Sequence, residues 1–173
     1  MRLFHVSEES NIEFFEPRLP KRKDLDQTVG LVWTIDEQRL PNFLTPRDCP
    51  RVAYNASEQT TDADRCAFFS SAETDHAVVI ESRWYKAMTE TKLYIYEFLP
   101  DDFSLLDPIA GYYVAKTKQI PKAKYMISDP LGELLERGVE VRFVDNLWKI
   151  ADAVKVSSLN WSLCRMANAR PRK

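Results

Sequence analysis

The chain has 173 residues, of which 45% are apolar and 29% charged, and its 26 acidic and 24 basic side chains leave a net charge of −2. That is the size and composition of one soluble globular domain with a core of its own. The near-neutral, interspersed charge excludes a global field that would draw the protein to nucleic acid or to an anionic membrane.

No run of about 18 apolar residues occurs, so no transmembrane helix is expected. The opening MRLFHV meets Glu8 and Glu9 too soon for a signal peptide. Cys49, Cys66 and Cys164 are odd in number and widely spaced, which argues against a disulfide framework and for a reducing cytoplasm.

In chain order, residues 2–6 read as a short strand, SEESN from Ser7 as a polar turn, and residues 12–15 as a return of apolar side chains. Pro17 and Pro20 end regular structure, and KRKDLDQ at 21–27 is a charged surface loop. Residues 31–35 form a continuous apolar run bounded by Gly30 and Asp36, which suits a strand covered on both faces. Asp36 can cap a helical turn ending before Pro41, and 51–54 is the next strand. Thr61 followed by Asp62 and Asp64 marks a helix start, running to about Phe69. Strands follow at 77–80, 93–99, 111–117 and 124–127, with a short helix at 82–88.

The clearest helix spans 129–138, with Asp129 at the cap, Pro130 at the first helical position, a leucine stripe and Gly138 as the stop. VEVRFV at 139–144 alternates with period two, as a strand with one buried face does. Residues 147–155 read as helix. For 159–166 the pattern fits a helix capped by Ser157-Ser158 or a strand with Leu159, Trp161 and Leu163 on one face; helix is the preferred reading. The basic end, 169–173, is expected to fray. Strands with interspersed helices predict an α+β protein, a single domain over 1–173 with one mixed central β-sheet and flanking short helices.

Metal sites find little support: His5 and His76 lie far apart and no C-x-x-C or H-E-x-x-H spacing occurs. Four glycines form no Walker loop, no G-x-G-x-x-G and no G-x-S-x-G. The densest candidate surface is 31–52, LVWTIDEQRLPNFLTPRDCPRV. His5, at a strand end, can donate to a ligand hydroxyl or phosphate, or bond to backbone. Trp33 and Thr34 can line a pocket or pack in the core. Pro46 and Pro50 pin the loop carrying Arg47, Asp48 and Arg51, so an arginine there can fork onto a carboxylate or phosphate, or pair locally with Asp48. Cys49 lies between arginines that could lower its thiol pKa. Tyr112 and Tyr113 could stack on a ring or belong to a half-buried edge strand. Glu81 and Glu97 sit in apolar strands, where each could be desolvated, which would raise a carboxyl pKa and suit acid–base work, or could equally face solvent.

LFHVSEESNIEFFEPR, LVWTIDEQRLPNFLTPRDCPRV, KLYIYEF, LLDPIAGYYV, LLERGVEVRFVDNLW and DAVKVSSLNWSLCRMANA together resemble a family of bacterial proteins classed as a domain of unknown function. The likeness runs in order over nearly the whole chain and implies a stand-alone cytoplasmic bacterial protein. A weaker likeness is to the ADP-ribosyltransferase superfamily, through His5-Val6-Ser7 and through VWTID, whose Thr34 would face a nicotinamide pocket. That family carries a late catalytic Glu. GYYVAKTKQIP has Thr117 and lysines in its place, which implies either a degenerate binder or Glu97 in the acid's role.

The leading expectation is a small anionic or nucleotide-like ligand bound near His5, Trp33 and Arg47. One alternative, implied by the second resemblance, is an NAD-dependent transferase or NAD-cleaving enzyme with NAD as cofactor and His5 and Glu97 as catalytic residues. Another is a protein–protein module using 93–99 and 111–114. A homodimer is compatible with each, and no nucleic acid or membrane partner is expected.

Overall fold

A computed structural model describes residues 1–20 and 22–172. Lys21, in the charged loop, and Lys173, at the basic end, lie outside the described residues. The chain gathers into two compact units, 1–40 with 93–127, and 41–92 with 128–173. Each is built on its own sheet, so the expected α+β class holds while the single central sheet becomes two.

The first unit contains β1 (Leu3–Ser7), β2 (Val32–Asp36), β5 (Leu93–Phe98), β6 (Ser104–Asp107), β7 (Tyr112–Ala115) and β8 (Ala123–Ile127). They form one sheet in the order β6-β7-β2-β1-β5-β8, with every neighbour antiparallel. Side chains alternate between sheet faces, so the pairings Leu3↔Phe98, His5↔Tyr96, Leu3↔Asp36 and Thr34↔Tyr113 assign residues to faces. Leu3, His5, Ser7, Thr34, Tyr96, Phe98 and Tyr113 share one face; Phe4, Trp33, Ile35, Glu97, Tyr112 and Tyr125 share the other. The turn after β1 folds back over the first face. The Tyr96 hydroxyl donates to the Glu9 carbonyl at 2.6 Å and accepts from the Ile12 N–H at 3.2 Å. Phe15 packs edge-on against Tyr96 and Phe98, joining a cluster with Leu3, Ile12 and Phe103.

The second unit holds β3 (Arg51–Asn55), β4 (His76–Glu81), β9 (Glu140–Val144) and β10 (Asn160–Cys164), in the order β10-β3-β4-β9. Only the β4–β9 pair is parallel. The helices are α1 (Asp62–Phe68), α2 (Tyr85–Glu90), α3 (Pro130–Glu136) and α4 (Trp148–Lys155). Val52, Tyr54, Ala77 and Val79 form one sheet face and pack with Phe68, Leu147, Ala151 and Val154 into the core beneath α1 and α4.

The helix signals read from sequence are realised. The Thr61 hydroxyl caps α1 at the Asp64 N–H, and the Asp129 carboxylate caps α3 at the Gly132 N–H, 2.9 Å away, with Pro130 first in the helix. Asp36 does cap a turn, accepting from the Arg39 N–H at 2.8 Å, but the following 3₁₀ helix, Leu40–Phe43, runs through Pro41. A proline in a first turn has no N–H to leave unsatisfied. The helix expected at 82–88 splits into a 3₁₀ turn, Ser82–Trp84, and α2.

Three expectations change. Residues 160–164 are strand β10, not helix: the strand pairs Trp161↔Tyr54 and Leu163↔Val52, sending both apolar side chains to one face. Ser157 and Ser158 close α4 and tie it to α1 through Asp64 rather than opening a new helix. Residues 170–172 of the basic end are held by hydrogen bonds rather than frayed. β6 went unread because it is a short edge strand with Leu105 52% exposed, so packing left no apolar signature.

Two glycines sit at positive φ. Gly138, at +72°, has open space around the position of a Cβ; at Gly111, at +66°, a Cβ would fall within 2.7–2.9 Å of the Asp36 carboxylate. Gly138→Ala is therefore expected to lose about 1 kcal/mol, from backbone strain alone. Gly111→Ala should lose about 2 kcal/mol, because Asp36 must also move off the Arg39 N–H it caps. Urea unfolding of the two variants measures the difference.

Candidate functional site

Within the first unit the sheet separates residues that the sequence suggested as one set. His5 lies on the Phe15 face, its ring 4.8 Å from the Phe15 ring and its Nδ1 3.0 Å from the Trp33 carbonyl. That carbonyl can only accept, so Nδ1 carries the proton. The Trp33 side chain lies on the opposite face, edge-on to Tyr112 with ring centroids 5.3 Å apart. His5 thus meets the Trp33 backbone oxygen, while the Trp33 side chain points to the other face. Thr34 is buried and donates its hydroxyl to the Tyr113 carbonyl at 3.1 Å, while the Ser7 hydroxyl accepts from the Glu9 N–H. Tyr113 packs in the Phe15 cluster. β7, for which an edge strand is one of two readings of the sequence, lies inside the sheet between β6 and β2, and β5 is likewise interior, so neither offers an open backbone edge to a partner.

Glu97 is 2% exposed and faces the side opposite to His5. Arg2 donates to it from Nε at 3.0 Å and from Nη2 at 3.1 Å, the Tyr125 hydroxyl at 2.9 Å, and Lys122 Nζ lies 3.0 Å away. Desolvation alone would raise its pKa, as the sequence suggested. The hydrogen bonds from Arg2, with those from Lys122 and Tyr125, outweigh burial and hold it at about 2. The carboxylate is an ionised anchor with both oxygens engaged.

In the second unit the loop 41–51 is organised by Arg51, which is 5% exposed. Its Nε donates to the Asn42 carbonyl at 2.7 Å, Nη1 donates to the Cys49 carbonyl at 3.1 Å, and the guanidinium lies 5.2 Å from the Phe43 ring centroid. No carboxylate stands within ion-pair distance of it among the described residues. Asn42 also accepts from His76 Nε2, 2.7 Å away, and His76, Asn55 and Arg51 share one face of the sheet. Thr45 is 4% exposed and its hydroxyl has no partner. Arg47 and Asp48 are exposed, and the Asp48 carbonyl accepts from Asn168 at 2.8 Å.

Cys49 is fully buried, and burial pushes its thiol up to about 12 despite the neighbouring Arg51. The activated thiol that two flanking arginines suggested is not realised. Iodoacetamide at pH 8 should label exposed Cys66 about a thousandfold faster than Cys49 in the folded protein, as peptide mass mapping would read.

Glu81 is the other carboxylate that the sequence places in an apolar strand. It is fully buried, accepting from Arg83 Nε at 2.7 Å and from the Arg170 backbone N–H at 2.7 Å. From there residues 170–172 run over α4. Trp148 Nε1 donates to the Arg170 carbonyl and Asn146 to the Pro171 carbonyl. Arg172 forks onto Asp152 at 2.6 and 2.9 Å and stacks 4.2 Å from the Trp148 ring centroid. These partners are scattered over the chain, so nothing local signals that the tail is held.

Among the described residues no group of three His, Cys, Asp or Glu side chains could hold a metal, and no helix is long and apolar enough to cross a membrane. No curated protein and no solved structure matches the chain. A family model described as a family of unknown function, DUF6886, matches residues 4–169. With nearly its whole length matched, the chain belongs to that family.

Proposed function

We propose that the protein binds a small molecule carrying a carboxylate or phosphate, and that Arg51 receives the anion. The observation that carries this is a buried guanidinium with no counter-ion among the described residues. A buried charge left without a counter-ion is costly, by several kcal/mol. Two carbonyl oxygens and the Phe43 ring offset part of that. Nη2 makes no hydrogen bond among the described residues. An anion there completes the guanidinium fork, a charge-assisted contact stronger than a neutral one.

The loop's prolines, Pro46 and Pro50, hold the site in advance of binding and reduce the entropy lost on binding. This reading rests on the second unit alone. NAD turnover is not part of it, because His5 and Glu97, the pair it would need, occupy opposite faces of one sheet.

The test is thermal unfolding in phosphate, in small carboxylates and in ADP-ribose, each against chloride at equal ionic strength. An anion at a hundred times its dissociation constant adds about 2.7 kcal/mol, a rise in Tm of roughly 5–10 °C. The rise should vanish in Arg51→Met and shrink in Arg51→Lys, which keeps the charge but loses the fork. An equal rise in wild type and Arg51→Met, or no anion-specific rise in wild type, would sink the proposal.

A further inference from the structure

A concavity lies in the second unit, away from the Arg51 loop in sequence and built from different elements. It is a groove of about 870 Å³ between the end of α1, the segment that follows β9, α4 and the Arg172 side chain. Small-molecule sites run from roughly 300 to 1,000 Å³ and are mostly apolar with a few placed polar groups. Phe68, Val144, Trp148 and Ile150 provide the apolar lining. Trp148 is held from two sides, its Nε1 by the Arg170 carbonyl and its ring by the Arg172 guanidinium, so this wall is formed before any ligand arrives.

The polar rim is selective in sign. Asp152 is occupied by the Arg172 fork, and Asp145 pairs with Arg170 at 3.2 Å. Both lining acids are thus neutralised by the strap. Lys149 is exposed on the same rim and has no ion-pair partner among the described residues. An apolar trough with one uncommitted cation complements an elongated apolar molecule with a single negative end.

We infer that this groove binds a small amphipathic carboxylate, its apolar body along Phe68, Trp148 and Ile150 and its carboxylate on Lys149. The apolar contacts supply most of the affinity, and the lysine, as a rim charge, chooses the acid over its neutral counterpart by about two- to fivefold. A ring or a chain would satisfy the lining equally, so the shared chemistry is the apolar monoanion.

The experiment is calorimetric titration of the full chain with decanoate and with decanol, alongside amide chemical shifts. The expected result is saturable binding that moves the amides of residues 67–68 and 144–153. Decanoate should bind about two to five times more tightly than decanol, and this preference should disappear in Lys149→Ala and reverse in Lys149→Glu. Lys149 is exposed, so neither substitution threatens folding. The decanoate-induced amide shifts of residues 67–68 and 144–153 should be the same in Arg51→Met as in the wild type, which separates failure here from failure of the Arg51 site. The inference is overturned by the absence of saturable binding, by equal affinity for acid and alcohol in the wild type, or by a preference that survives Lys149→Ala. A groove filled by a second copy, seen as a doubled mass in light scattering that decanoate does not alter, also overturns it.

Discussion

Ending the chain at Ala169 is expected to destabilise the protein by about 3 kcal/mol or more, lowering Tm by roughly 6–12 °C. The segment removed is polar and basic, and on composition alone its loss would be neutral. The structure says otherwise because the Arg170 N–H is one of the two donors to Glu81, a carboxylate with no solvent exposure. Its removal leaves a buried anion short of a hydrogen bond, the circumstance in which losing one partner is most damaging. Trp148 Nε1 and the Asn146 amide lose their acceptors as well, and Arg172 leaves both Asp152 and the Trp148 ring. Those contacts are more exposed and add only tenths of a kcal/mol each. Arg172→Ala alone should therefore lower stability by less than about 1 kcal/mol, while Glu81→Ala should approach the effect of the truncation. Equal stabilities for full-length and shortened chains in urea titrations would refute the account.

Glu97→Ala is expected to lose about 2–3 kcal/mol at pH 7 and to flatten the acid limb of the stability profile. The folded protein holds this carboxyl at about 2, below its ordinary value of 4.5. A depressed carboxylate contributes stability that is present in full above the unfolded value and is lost as pH falls from about 4.5 toward about 2. The whole shift would correspond to about 3 kcal/mol. Arg2 and Lys122 are about half exposed, at 48% and 44%, so solvent screens them and about 1–2 kcal/mol is the expected pH-dependent part. Comparing wild type and Glu97→Ala between pH 5 and pH 2 tests this directly. If the two curves stay parallel through that window, the depressed carboxyl is not a source of acid sensitivity. The same geometry bears on catalysis. A carboxylate bound by Arg2, Lys122 and Tyr125 is committed to holding β1, β5 and β8 together.

Local chemistry made much of the chain legible. A capping threonine with acids behind it, or an Asp-Pro start with a glycine stop, acts over a few residues, and α1 and α3 appeared where those signals stood. The apolar run at 31–35 became a strand with Leu31, Val32, Thr34 and Ile35 buried, as a strand covered on both faces requires. The α+β class and membership in the family were also readable from the residues, since both depend on the order of segments along the chain.

What pairs with what was not readable, because it depends on side chains brought together from far apart. Alternation gives a strand two faces but does not say which residue of another strand lies opposite. The register Thr34↔Tyr113 and His5↔Tyr96 is what set His5 and Trp33 on opposite sides. Residues 160–164 could be read as helix until β3 supplied an edge that satisfied their backbone and accepted Trp161 and Leu163 on one face. Burial was equally hidden. Cys49 and Glu97 each stand beside arginines in sequence or in space, yet the thiol is pushed up and the carboxyl down. Desolvation wins where no hydrogen bond reaches the ionised atom and loses where several do. The basic tail carries that lesson furthest: its composition describes a solvated end, and only the folded chain sets Glu81, Asp145, Trp148 and Asp152 along its path.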